Sequence, residues 1–279
     1  LQVFSDPTDI LSKRGVARES IADQGISFLR KKSEQGYTYF LTNLSNQFQE
    51  GAISLAKIGT DFEISDPMTG QKTSQHATKS GTFFLQLHPG QSAFVRSLPS
   101  KKRAMPEALP GQVVETTLIP DTPIRVQFTK GAPSLPAPLT LTSLAYWTQE
   151  ESTHDFWGTG TYRFSFSLSA DQISACRVLH FDKIRDWARV KINGKDLGIV
   201  WSLPYQIQIP AGLLKEQNTI EIAVTNVSAN RIRKLDREKV VWKNFYEINF
   251  VDINYVPFDA SKWAVTESGL QGKLFFTNR

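Results

Sequence analysis

The side chains with the richest chemistry in this sequence lie between positions 226 and 249. They read Asn226-Val-Ser-Ala-Asn230-Arg231-Ile-Arg233-Lys-Leu-Asp236-Arg237, then Trp242-Lys-Asn244-Phe245-Tyr246-Glu247. Arg, Asp and Asn supply planar hydrogen-bond donors and acceptors, and Trp supplies a flat apolar face. That combination suits a polyhydroxylated ligand. The segment does not alternate cleanly between apolar and polar residues. It therefore belongs on loops at one end of a strand sandwich, where ligands of such folds sit. Arg231, Asp236, Trp242 and Tyr246 are the candidate carbohydrate-binding residues. They are expected to line one surface that faces either substrate or another part of a longer protein. The plainer reading of the same stretch is a structured inter-domain loop with paired charges.

Catalysis is harder to find. Glycoside hydrolysis needs two carboxyl groups roughly 5 to 9.5 Å apart across a cleft. Asp236, Glu238, Glu247 and Asp252 are close in sequence, but nothing in their spacing singles out an acid and a base. Glu150, Glu151 and Asp155 fall in a polar loop and read as solvated. No Gly-rich phosphate loop precedes a helix, and there is no His-Glu-x-x-His pair or Gly-x-Ser-x-Gly elbow. His76, His88, His154 and His180 are far apart and read as surface or strand residues. Cys176 is the single cysteine, which excludes an internal disulfide and a cysteine-type zinc site. It reads as a small buried apolar residue. No catalytic residue and no metal ligand is assigned.

The elements that must carry these residues are strands. Tyr37, Tyr39 and Leu41 alternate with polar or outward positions, and so do Phe83, Leu85 and Leu87. Residues 51 to 64 read as one or two further strands, and Asp66-Pro67-Met68-Thr69-Gly70 as a turn. Later runs are clearer: Ile124, Val126, Phe128; Tyr162, Phe164, Phe166, Leu168; Ala188, Val190, Ile192; Tyr205, Ile207, Ile209; and Ile220, Ile222, Val224. Asn193-Gly194 is the strongest two-residue hairpin signal available. Before the strands, Asp6 can cap a short helix that stops at Gly15, and Val16 to Asp23 reads as a second helical piece. The expected fold is all-β: two antiparallel β-sandwiches behind short N-terminal helices.

Leu98-Pro99-Ser100-Lys101-Lys102-Arg103, followed by Pro106, Pro110 and Gly111, reads as a linker. The expected domains are 1–105, a helical lead-in with a small sandwich, and 106–279. All six tryptophans (147, 157, 187, 201, 242 and 263) fall in the second. They either build a large aromatic core or line a sugar surface. With 279 residues and 40% hydrophobic content, the chain can bury its cores without staples. No apolar run reaches transmembrane length. A net charge of +5 is too thin to argue for nucleic acid. The first residues offer neither an initiator Met nor a signal peptide, and read as the start of a piece cut from something longer.

Ala188-Arg-Val-Lys-Ile-Asn193-Gly194-Lys-Asp-Leu197-Gly198, with Trp201, Pro204-Tyr205, Leu213-Leu214, Asn218 and the strand to Asn226, resembles the galactose-binding-like, sugar-binding jelly roll of family 2 glycosidases. Asp66-Pro67-Met68-Thr69-Gly70, Gly131-Ala-Pro133-Ser-Leu135-Pro136, Ala229-Asn230-Arg231-Ile232, Trp242 to Asn249 and Pro257-Phe258-Asp259-Ala260-Ser261 are similar to the C-terminal portion of glycoside hydrolase family 106. That family contains bacterial α-L-rhamnosidases.

The resemblance implies that the second sandwich is a jelly roll. It also implies a (β/α)8 barrel, N-terminal to this region, as the partner that carries the catalytic acids. The chain has no room for such a barrel beside two sandwiches. The implied role is that of non-catalytic modules of a rhamnosidase-like enzyme, supporting the barrel and touching a plant or bacterial glycan. The rival readings are a free-standing carbohydrate-binding protein and a purely structural spacer. The resemblance further implies a periplasmic or extracellular location. No cofactor is expected. Calcium is common in such jelly rolls, so a structural ion stays open, but no Asp and Asn run here has the spacing of a known calcium loop. Neither nucleic acid nor membrane is expected as a partner.

Overall fold

The computed structural model describes residues 10–11, 13–16, 18–34, 36–76, 82–98, 113–244 and 251–278. The chain separates into two compact units, Leu1–Gln112 and Val113–Arg279. The expected linker lies outside the described residues from Pro99 to Gly111.

In the first unit Ile10, Leu11 and Lys13 are helical. A 3-10 turn follows at Ser20–Gln24, shorter than the expected helical piece from Val16, and it stops at Gly25 in the left-handed region. Seven strands come next: β1 Ser27–Ser33, β2 Gly36–Thr42, β3 Gln49–Ser54, β4 Asp61–Ser65, β5 Lys72–His76, β6 Thr82–Leu87 and β7 Ser92–Ser97. They form a five-stranded sheet in the order β1-β2-β7-β4-β5 and a two-stranded sheet of β3 and β6. All pairs are antiparallel. Tyr39, Leu41, Phe62 and Val95 of the larger sheet share one core with Ile53, Phe83 and Leu85 of the smaller.

A polar knot sits at the edge of that core. Glu19 is buried and accepts hydrogen bonds from Tyr39 Oη at 2.6 Å, Arg30 Nη1 at 2.6 Å and the Ala56 amide at 2.9 Å. Three donors on one carboxylate meet the requirement that a buried charge be fully partnered. Burial, then the Glu19 hydrogen bond, pushes the Tyr39 phenol up to about 12.

The second unit adds β8 Glu115–Thr117, β9 Ile124–Ala132, β10 Leu139–Leu141, β11 Trp157–Ser167, β12 Val178–Arg185, β13 Trp187–Ile192, β14 Lys195–Val200, β15 Gln206–Gln208, β16 Gln217–Thr225 and β17 Gly269–Thr277. Two helices interrupt them, α1 Ala170–Ala175 and α2 Ala229–Arg237. Ser169 and Gln172 close a reciprocal capping box on α1. A six-stranded sheet, β10-β9-β11-β16-β13-β14, faces a four-stranded sheet, β15-β12-β17-β8. The core lies between them. Tyr162, Phe166, Ile222 and Val190 point in from one sheet, and Leu179, Phe181, Leu274 and Phe276 from the other. Phe166 and Phe276 meet at 5.9 Å. The fold is all-β, as the alternating runs lead one to expect.

Two local features set the ends of this sandwich. Asn193 and Gly194 both have positive φ, 51° and 78°, the signature of a primed hairpin turn between β13 and β14. At the other end Trp147 is fully buried. Its ring packs on two glycines: a Cβ on Gly160 would stand 2.8 Å from it, and one on Gly269 2.9 Å. Cys176 is buried, in keeping with the apolar reading.

Candidate functional site

Every tryptophan of the chain lies at the end of the second unit away from the Asn193-Gly194 turn. Trp157 is the first residue of β11, whose Thr159 pairs with Thr225 at the end of β16. Trp187 is the first residue of β13 and also pairs with Thr225. Trp201 follows Val200, which pairs with Ala188, so Trp187 and Trp201 share the open end of one hairpin. The segment carrying Trp242 and Trp263 leaves β16 at Thr225 and rejoins the sandwich at Gly269, which pairs with Arg185. Trp147 donates its amide to the Ser268 carbonyl at 3.0 Å. Trp147 alone of the six is core. Trp157, Trp187, Trp201 and Trp263 are 42%, 40%, 61% and 45% exposed. Exposed aromatics gathered at one end of a domain mark a contact surface.

Hydrogen-bonded side-chain amides hold this end together. Asn226 is buried at the end of β16. It donates to the Phe156 carbonyl at 3.0 Å and to Ser268 Oγ at 2.9 Å, and it accepts from the Gly158 amide at 2.8 Å. Asn230 donates to the Thr266 carbonyl and accepts from the Thr266 amide, both at 2.8 Å. Helix α2 thus turns Asn230 and Arg233 inward, and both are buried. The Asp236 side chain, one helical step further on, is 7% exposed. This inward stripe is polar, whereas an ordinary surface helix presents an apolar one.

Asp236 and Trp242, two of the four candidate ligand residues, are brought into direct contact. Trp242 Nε1 donates to Asp236 Oδ1 at 2.6 Å. The Ala260 amide donates to Oδ2 at 2.8 Å, and Lys243 Nζ lies 3.5 Å from Oδ1. Asp236 therefore acts as a positioning residue for Trp242. Trp242 is half-buried and meets Phe258 edge-on at 6.1 Å, and Phe258 meets Trp263 edge-on at 5.5 Å. Lys243 Nζ lies 5.6 Å from the Trp242 ring and 5.2 Å from the Phe258 ring. Beside them is an open cavity of about 350 Å³, lined by Asp236, Lys239, Trp242, Lys243, Phe258 and Asp259. Two hydrogen bonds from Ser261, the amide's first, hold the Asp259 carboxyl below the usual carboxylate range, so it is charged at neutral pH.

Arg231 lies on the same helix, half-buried, and its side chain makes no hydrogen bond or ion pair among the described residues. Tyr246 lies outside the described residues. Asp155, expected to be solvated, is instead half-buried. It is 3.4 Å from Lys234 Nζ and 3.9 Å from Arg233 Nη1, because α2 packs over its loop. The sequence reading did not single out Trp187 with Trp201 or the amide locks. The turn at Asn193-Gly194 alone would set Trp187 opposite Val200. The register shift between Val190 and Lys191 moves the pairing by one residue and brings Trp201 level with Trp187, and the turn residues carry no signal for that bulge. Among the described residues no group of three or more His, Cys, Asp or Glu side chains is placed to hold a metal.

No protein-family profile matches the chain. A solved rhamnosidase from Novosphingobium sp. PP1Y superposes with a TM-score of 0.68 over 98% of this chain, at 23% identity. A protein named "Putative beta-glucuronidase" from Formosa agariphila is 28% identical over 86 residues, 30% of this chain. The chain spans 26% of the length of the first and the match 7% of the second. The likeness to the rhamnosidase is one of fold. Together the two similarities relate the chain to glycoside hydrolases.

Proposed function

We propose that this chain is a pair of non-catalytic modules from a longer glycoside hydrolase of family 106, the α-L-rhamnosidase type. In that protein it braces a catalytic (β/α)8 barrel, and the tryptophan end of its second unit, a galactose-binding-like jelly roll, meets carbohydrate. One observation carries the reading: a single superposition takes in nearly the whole chain, both units included, yet only about a quarter of a rhamnosidase. The open indoles of Trp187 and Trp201 supply stacking faces for sugar rings. Arg231 supplies a cation, and Trp242 is held in place by Asp236. Tyr246 belongs to the same proposed surface. The reading carries with it a bacterial protein in the periplasm or outside the cell, a plant or bacterial glycan as ligand, and no cofactor beyond a structural calcium ion.

The test is a rate assay paired with a binding assay. The purified 279-residue chain is expected to leave aryl α-L-rhamnosides unhydrolysed above background. It is expected to retain weak binding on a glycan array. Trp201→Ala and Trp242→Ala should each weaken that binding roughly three- to tenfold, the scale of one lost aromatic contact. Turnover that disappears on one Asp or Glu substitution within the chain would overturn the non-catalytic reading. Binding that survives both tryptophan substitutions would remove the sugar surface from this end.

A further inference from the structure

The outer face of the six-stranded sheet carries a second feature, near the Asn193-Gly194 turn and so at the opposite end from the tryptophans. It is a trough of about 640 Å³, within the 300–1,000 Å³ range common for small-molecule sites. One rung of the sheet forms its floor. Thr140 pairs with Arg125, Arg125 with Arg163, Arg163 with Glu221, and Glu221 with Lys191. All of these line the trough.

The charges on that rung do not balance. Glu221 accepts from Arg163 Nε at 2.7 Å and from Lys191 Nζ at 3.3 Å. Burial pushes its carboxyl up, but those two cations outweigh burial and hold it below the usual range, so it stays charged. Arg163 also donates to Gln127 at 3.1 Å. The Arg125 side chain has no ion-pair or hydrogen-bond partner among the described residues, and Arg125 stands directly across the β9–β11 ladder from Arg163. Like charges placed directly opposite on a sheet face destabilise it. Three cations against one carboxylate leave the trough with a two-charge positive excess. Each guanidinium is a planar fork of donors that a carboxylate can fill with paired hydrogen bonds; Glu221 and Gln127 engage that of Arg163, whereas that of Arg125 is open. Beside the rung the lining offers the hydroxyls of Thr122, Ser165 and Thr219 next to apolar Pro123, Phe164 and Ile220. Hydroxyls that both donate and accept match the hydroxyls of a sugar ring.

We propose that this trough binds an acidic saccharide. Its carboxylate lies between Arg125 and Arg163, Lys191 flanks it, and the threonine hydroxyls take the ring hydroxyls. Glu221 is a positioning residue that fixes Arg163. The proposal does not depend on the tryptophan-end reading, because the two surfaces share no residue.

The experiment is a calorimetric titration of the 279-residue chain with trigalacturonate, with its neutral counterpart galactotriose, and with sodium sulfate as a bare anion. Trigalacturonate is expected to bind at least about tenfold more tightly than galactotriose, the scale of a lost charge-assisted hydrogen bond. Arg125→Ala and Arg125→Gln are each expected to lose about tenfold in affinity, with unchanged near-ultraviolet circular dichroism. Lys183→Ala, on the other sheet and outside both surfaces, is expected to change nothing. Affinity should fall as sodium chloride rises. Failure to bind, equal binding of galactotriose, or sulfate binding as tightly as trigalacturonate would each overturn the proposal. So would an affinity that ignores Arg125 or disappears in Lys183→Ala.

Discussion

Asp236 collects three donors from two stretches of chain: the Trp242 indole and the Lys243 ammonium from one, the Ala260 amide from the other. A neutral amide cannot replace that carboxylate, because its nitrogen would confront one of the donors. Asp236→Asn should therefore cost about 1 to 3 kcal/mol of stability in the second unit. It should also accelerate hydrogen exchange at the Ala260 amide and weaken glycan binding as much as Trp242→Ala does. Unchanged protection at Ala260 would show that the carboxylate is not the clamp. Asp236 and Trp242 were both legible as chemically capable residues. Their partnership was not, because six residues of spacing bring them together only if the helix ends at Arg237 and the chain bends back. Asn226 and Asn230 carry the same lesson. By type they read as ligand amides, yet both amides hold the backbone of their own domain.

At the scale of elements, alternation made β2, β9, β11, β13 and β16 readable, since one face of each is buried and the other wet. Others hid for stated reasons. In β1 only Phe28 is even half-buried, and Lys31 and Lys32 keep this sheet edge from pairing with strangers. Alternation in β12 breaks where its register shifts between Phe181 and Lys183. Helix α2 inverts the usual rule by burying Asn230 and Arg233. Trp147 shows how closely elements depend on single atoms: its ring lies on Gly160 of β11 and Gly269 of β17. A methyl group on Gly269 would also overlap Tyr162 Oη, at a φ of +110° that side chains avoid. Gly269→Ala should lower the stability of the second unit by about 3 kcal/mol through overpacking and backbone strain. Thermal denaturation checks it, and a loss under about 1 kcal/mol would mean that Trp147 can move aside.

For the whole molecule, the proline-rich basic stretch from Leu98 to Gly111 is the expected place for a protease to enter. Brief trypsin digestion should cut first near Lys101 to Arg103 and leave a stable C-terminal fragment. A first cut within residues 180 to 226 would contradict the two-unit reading. The grouping of the tryptophans has a consequence for anyone who shines light on this protein. The first unit contains no indole, so tryptophan emission is blind to it and reports the second unit alone. Within that unit the emitters stand at one end, five open in part to solvent and Trp147 sealed from it. The glow should thus divide into a red component that dissolved iodide can quench and a blue one that it cannot. Whatever covers that end should shift the red component toward the blue, whereas a ligand in the trough at the far end should leave the colour unchanged.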